Sequence, residues 1–127
     1  MEIQYLSPEE LIIMHQSLLL EFGGMGGITE AGFTRLENAA YAPRQSMFGT
    51  DLYPDLPTKA AALVYGIIRN HPFSDGNKRT ALVALAVLLE LNGATLTATN
   101  DEAYNLALAV AADMTRAELT TWIAAHM

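Results

Sequence analysis

The sequence predicts an all-α fold: a helical bundle around a central buried helix, with a short hairpin flap ahead of the polar run at 71–80. Three observations carry this. Ser7-Pro8-Glu9-Glu10 and Thr115-Arg116-Ala117-Glu118 are capping boxes that open helices. Gly23-Gly24 and Asn92-Gly93 are stops of the kind that end them. Between them, Ala81 to Leu91 is apolar apart from Glu90, which reads as a helix buried on most faces.

The first helix starts after Ser7, with Pro8 suited to its first turn, and runs to about Phe22. Gly23 to Gly27 lacks the spacing of a phosphate loop and follows a helix, so it reads as a flexible connection. Glu30 to Ala40 forms a second helix with Leu36, Ala39 and Ala40 on one side. Tyr41 to Pro57 holds three prolines, a glycine, and Phe48, Leu52 and Tyr53 among polar residues. It reads as a long excursion, and long loops in compact domains often carry function. Exposed aromatics there would contact a partner, although packing onto the core is their commoner fate.

Thr58 to Arg69 reads as the third helix, with Ala62, Tyr65 and Ile68 on one face and Leu63 and Ile67 beside it. The fourth runs from about Asn77 to Leu91 and, being apolar on most faces, is expected at the centre. Ala94 to Thr99 suits a short extended piece. Asn100 or Asp101 caps a fifth helix to about Met114, and Thr115 opens the last one, to Ala125. No repeat, low-complexity tract or linker divides the chain. The 127 residues suit a single domain spanning 1–127, and a chain of this size buries roughly two-thirds of its unfolded surface without a staple.

Composition narrows the chemistry. There is no cysteine, which excludes disulfides and thiolate catalysis. His15, His71 and His126 show no ligand spacing, so a zinc site is not expected. No apolar run suits a membrane span, and Met1 to Ser7 has no basic region of a signal peptide, so the expected compartment is the cytoplasm. A net charge of −7 disfavours direct nucleic-acid binding. Against that background Lys78 and Arg79 stand side by side, with Arg69 just before them. Such a local positive site suits a small anionic ligand.

The run His71-Pro72-Phe73-Ser74-Asp75-Gly76-Asn77-Lys78-Arg79-Thr80 concentrates polar chemistry at the start of the fourth helix, where free N–H groups favour anions. His71, biased toward extended backbone by Pro72, can take a proton from a hydroxyl. The residue alone leaves a mere helix cap equally open. Phe73 plugs the core. Asp75 suits magnesium bridging phosphates, although capping is the plainer role of a lone aspartate. Gly76 allows close backbone approach, and Asn77 can donate its amide to a phosphate. Lys78 and Arg79 supply a point charge and a planar fork, each alone also consistent with a solvated surface. The six roles are complementary, and together they point to phosphoryl chemistry.

His71 to Arg79 resembles the Fic-type pattern His-Pro-Phe-x-(Asp/Glu)-Gly-Asn-x-Arg, agreeing at every specified position. Two departures matter. Lys78 replaces the usual glycine, and Leu82 stands where many Fic proteins have a second arginine. Lysine at that place marks the Doc (death-on-curing) toxins, a branch of the superfamily. The opening Ser7 to Leu11, the turn at Gly23 to Gly27 and the Asn92-Gly93 stop also look Doc-like.

The resemblance implies a Fic fold and a toxin of a type II toxin–antitoxin system. Fic enzymes proper move AMP from ATP to a protein hydroxyl. Doc toxins are implied to bind the nucleotide reversed and to act as kinases, moving the γ-phosphate to a threonine of elongation factor Tu and arresting translation. Carried over, His71 is the base and Asp75 the Mg²⁺ ligand. Gly76 and Asn77 form the anion nest, with Lys78 and Arg79 as phosphate clamps. A Phd-like antitoxin is the implied partner, its segment folding on binding. No stretch fits the self-inhibitory pattern Ser/Thr-x-x-x-Glu-Gly/Asn. Lys78 and Leu82 both disfavour the AMP-transfer pose. Gly76 and Pro72 keep the loop close to the Fic consensus, so adenylyl transfer stays as the alternative.

Overall fold

In a computed structural model describing residues 2–127, six α-helices follow in order: α1 Pro8–Phe22, α2 Glu30–Tyr41, α3 Leu56–Asn70, α4 Asn77–Leu91, α5 Asn100–Ala112 and α6 Arg116–Ala125. A short 3-10 turn, Ala42–Arg44, follows α2. Between it and α3 stands a two-stranded antiparallel hairpin, β1 Ser46–Met47 and β2 Thr50–Asp51, with Ser46 opposite Asp51 and Met47 opposite Thr50. Among the described residues no helix is long and apolar enough to cross a membrane.

The centre of the bundle is α3 rather than α4. Helices α2, α4, α5 and α6 all pack against α3. It buries residues on nearly every side, from Lys59 to Ile68, with only Tyr65 part-exposed between them. The reason is side-chain size. Ala60, Ala61, Ala62 and Gly66 let neighbours approach from several directions at once, and a Cβ on Gly66 would sit 3.0 Å from that of Ala39 on α2. Helix α4 carries the larger side chains Leu85, Leu88 and Leu89 into the same core. Its outer face is covered in part by α1, which packs on both α4 and α2.

Local signals set most boundaries. Ser7, Thr99 and Thr115 each take part in a full capping box, with Glu10, Glu102 and Glu118 as the reciprocal partners. Thr99, not Asn100 or Asp101, is therefore the α5 cap. Helix α3 begins two residues before the expected Thr58, because Asp55 caps it and Thr58 returns the bond to the Asp55 N–H. Residues 94–99 form no strand; Thr97 N–H donates to the His126 carbonyl at 2.7 Å, tying this segment to the end of α6.

The expected flap is present as the β1–β2 hairpin. Phe48 and Gly49 turn it with positive φ at both positions, which matches the twist of a tight hairpin. Lys59 anchors it from the core: its buried Nζ donates to the Pro43 carbonyl at 3.1 Å and lies 3.6 Å from Asp51 Oδ2. Phe48, at the tip, is 98% exposed.

Candidate active site

The polar run forms the corner between α3 and α4. His71 closes α3, its N–H donating to the Ile67 carbonyl at 3.2 Å. Its backbone is left-handed, φ 53° and ψ 60°, not extended as the following proline suggested. Helix C-termini commonly turn this way, and glycine is the usual residue there because it lacks the Cβ that strains the conformation. A histidine in that slot is held against its own preference. The backbone does the capping, and the residue stands exposed at the corner.

Phe73 drops into the core as expected, only 2% exposed. Asn77 departs from expectation. Its side chain is buried and spent on the loop: Oδ1 accepts from the Phe73 N–H at 3.0 Å, and Nδ2 donates to the Phe73 carbonyl at 2.9 Å. The amide is therefore not free for a phosphate. What Asn77 offers an anion is its backbone N–H in the first turn of α4.

That turn is open. Helices α1, α2, α3, α5 and α6 each receive a side-chain cap from Ser7, Thr29, Asp55, Thr99 and Thr115. Only α4 starts on a residue without a side chain, Gly76, in left-handed backbone with φ 81°. A helix start leaves four N–H groups unsatisfied; here the Asp75 carboxylate takes up that of Gly76, and no side-chain cap takes up those of Asn77, Lys78 and Arg79.

Asp75 does not cap α4. Its Oδ1 accepts from the Gly76 N–H at 2.8 Å and its Oδ2 from the Met25 N–H at 3.2 Å. The Met25 and Gly76 N–H groups, with the Arg79 charge nearby, hold its carboxyl below the usual carboxylate range. The Gly23–Gly27 segment is thus a shelf for the site. At Gly24 the backbone has φ 121°, which residues with a Cβ rarely adopt, and a Cβ there would lie 2.9 Å from Asp75 Oδ2, so glycine suits the position. Ser74 N–H reaches the Gly27 carbonyl at 3.4 Å.

These residues line one cavity of about 360 Å³, with His71, Asp75, Gly76, Asn77, Lys78 and Arg79 on its polar side. Leu82, Tyr104 and Ala107 make an apolar side. Among the described residues neither Lys78 nor Arg79 forms an ion pair. The Arg79 guanidinium lies 4.6 Å from the centre of the Phe22 ring, a cation–π contact that restrains it. Arg69 does not join them. Its Nη1 donates to the Val110 and Ala112 carbonyls at 3.4 and 3.3 Å, closing the end of α5 and lining a separate cavity.

Among the described residues no group of three or more His, Cys, Asp or Glu forms a metal cage. Asp75 suits a different arrangement. Each of its oxygens keeps a lone pair beyond the one given to a backbone N–H, and one exposed carboxylate is what Mg²⁺ takes from a protein when phosphates supply the rest.

Several contributors were not visible in the motif. His15 on α1 is buried, stacks on the Phe73 ring at 3.8 Å and 6°, and lies 2.7 Å from the Asp75 carbonyl through Nε2. Its only sequence signal is position, a polar residue between Leu11 and Leu19 at helical spacing. Phe22 and Met25 act from the same end of α1, and Tyr104 from α5.

The Fic/DOC family profile matches residues 5–89, which take in α1 through most of α4 and the whole polar loop. The chain is 38% identical over 98 residues to Toxin Doc of Mycolicibacterium smegmatis, covering 77% of this chain and 72% of that protein. It is 34% identical over 91 residues to Protein kinase doc of Escherichia phage P1, covering 72% and 70%. With a mainly helical fold, the loop at the α3–α4 corner and this match over two-thirds of its length, the chain belongs to the Fic/DOC family.

Proposed function

We propose that the protein is a Doc-type toxin and protein kinase, moving the γ-phosphate of ATP to a threonine hydroxyl of a host protein, with elongation factor Tu the expected target. The observation that carries the reading is the start of α4, without a side-chain cap, beside two cations that form no ion pair among the described residues, opening into a cavity with one polar and one apolar side. The names of the two relatives, a toxin and a protein kinase, support it.

In this reading His71 takes the proton of the acceptor hydroxyl, whose oxygen attacks the γ-phosphorus. The bond to the bridging oxygen breaks and ADP leaves. The first-turn N–H groups of α4, from Asn77 onward, hold phosphate oxygens with Lys78 and Arg79, while the Gly76 N–H stays on Asp75. Asp75 would hold Mg²⁺, which supplies charge neutralisation to the phosphates when bound. The hairpin suits contact with the protein substrate, since Phe48 is fully presented at its tip. A Phd-like antitoxin that folds on binding completes the reading, with Leu20 (90% exposed) on α1 a suitable contact for its apolar face.

The experiment is a labelling pair. Purified protein in host extract with γ-labelled ATP should mark a protein, and α-labelled ATP should not. Incorporation of the α label would replace the kinase reading with adenylyl transfer and leave the family assignment standing.

A further inference from the structure

We infer that His15 is a positioning residue for the anion site: its N–H holds the Asp75 carbonyl toward α1 and so keeps the Asp75–Gly76 peptide from turning its oxygen into the cavity. The inference deepens the proposed function and rests on it for the identity of the anion, but its geometry stands alone.

His15 occupies a core slot. With Leu11 it lies on the α1 face turned to the bundle, and it is 3% exposed. A leucine would fill that slot without desolvating two ring nitrogens. The histidine supplies a donor instead. A carbonyl oxygen only accepts, so Nε2 carries the hydrogen in the 2.7 Å contact with Asp75. The ring is held flat by Phe73, and a Cβ on Gly76 would sit 3.5 Å from His15 Cδ2 and Nε2, so the imidazole lies directly beneath the loop.

The Asp75–Gly76 peptide is trans, so its C=O and N–H point in opposite directions. With the oxygen drawn to His15, the Gly76 N–H turns the other way, where it meets Asp75 Oδ1 at 2.8 Å. Asp75 is thereby fixed at three points, by His15, Gly76 and Met25. The restraint has a purpose, because glycine at 76 makes rotation of this peptide easy. A rotated peptide would aim a carbonyl dipole at the place where the α4 N–H groups receive an anion. It would also release the Asp75 carboxylate from its Gly76 partner.

The test compares His15→Gln, which keeps a donor at about the reach of Nε2, with His15→Phe, which keeps the stack and removes the donor. Binding of a non-hydrolysable ATP analogue with Mg²⁺ is measured by calorimetry. The Gly76 amide and the His15 ring nitrogens are followed by NMR. His15→Phe should bind about 10- to 100-fold more weakly, the usual effect of losing a partner that orients a metal ligand. Its Gly76 amide should lose the signature of its bond to Asp75. His15→Gln should stay within about fivefold of the parent, a rescue that a filling role alone would not give. Equal binding by the Phe variant, or equal loss in both, would overturn the inference. If both variants fail to fold, the unmodified protein decides: the ring must be the Nε2–H form, and an Nδ1–H form is incompatible with the proposal. Absence of any nucleotide binding by the unmodified protein would sink the functional reading instead, leaving the NMR signals to judge His15.

Discussion

Replacing His71 with glycine should make the protein more stable and inactive at once. The residue sits at φ 53°, ψ 60° immediately after α3. Left-handed backbone costs a residue with a Cβ about 1–2 kcal/mol. Glycine removes that cost and gives back about 0.5–1 kcal/mol through its freer unfolded chain. The net gain is about 0.5–1 kcal/mol, which for a domain of this size raises Tm by about 2–5 °C. His71→Ala is the control. It keeps the Cβ and the strain, loses the same imidazole, and should melt within about 0.5 kcal/mol of the parent.

Both variants should lose about 10²–10⁴ in phosphate transfer, the usual contribution of a general base. Urea and thermal melts beside γ-label transfer give the two axes. A glycine variant no more stable than the alanine one would show that the corner is not strained by its side chain. A folded variant of either kind with near-parental transfer would remove His71 from the chemistry. If both expectations hold, the fold carries a strained histidine where glycine would serve stability better, and the imidazole explains why.

Asp75→Asn should weaken Mg²⁺-dependent nucleotide binding while the helical signal is retained. Since the Asp75 carboxyl is held below the ordinary range, its contribution to stability is present above about pH 4 and fades as pH falls through the lower folded value. Parent and variant should therefore converge in acid melts, and a gap that widens there would contradict the two N–H bonds. Tyr104→Ala should raise KM for ATP about 5- to 30-fold with kcat little changed, as expected of lost stacking on an aromatic wall. An unchanged KM would place the nucleoside elsewhere. Lys78→Gly should depress γ-label transfer without creating α-label transfer, because Leu82 supplies no charge for a third phosphate. The appearance of α-label transfer would mean that Lys78 alone sets the reaction.

The parts of the molecule legible in sequence are those fixed by contacts within a few residues. Ser7 with Glu10 and Thr115 with Glu118 announce helices because the capping box is local. Asp55 with Thr58 does the same work with threonine as the returning partner, a pair outside the usual Glu or Gln pattern. The polar loop was legible because its residues are consecutive. What holds the loop was not. His15 reaches Asp75 across 60 positions and Met25 across 50, and neither pairing leaves a local pattern. The centrality of α3 was missed because its alanines and glycine carry little hydrophobicity each, although they permit the closest packing.

The arrangement of the cavity bears on the direction of the nucleotide independently of the motif. Lys78 and Leu82 are four residues apart on α4, so they lie on the same face one turn apart, with Arg79 beside them. The cations flank the open helix start, whereas Leu82, further along α4, lines the cavity together with Tyr104 and Ala107 of α5. With His71 as the proposed base, the phosphorus under attack would lie near it. If it is the α-phosphorus, the two remaining phosphates extend from there, and any course along α4 toward Leu82 takes their charges onto an apolar wall at a desolvation cost. If it is the γ-phosphorus, the charged end stays over the N–H groups and the cations. The ribose and base then pass toward leucine, tyrosine and alanine, which suit them. An arginine at 82 would make the first pose acceptable. Leucine there favours the second, so the choice between the two chemistries rests as much on the far wall of the cavity as on Lys78.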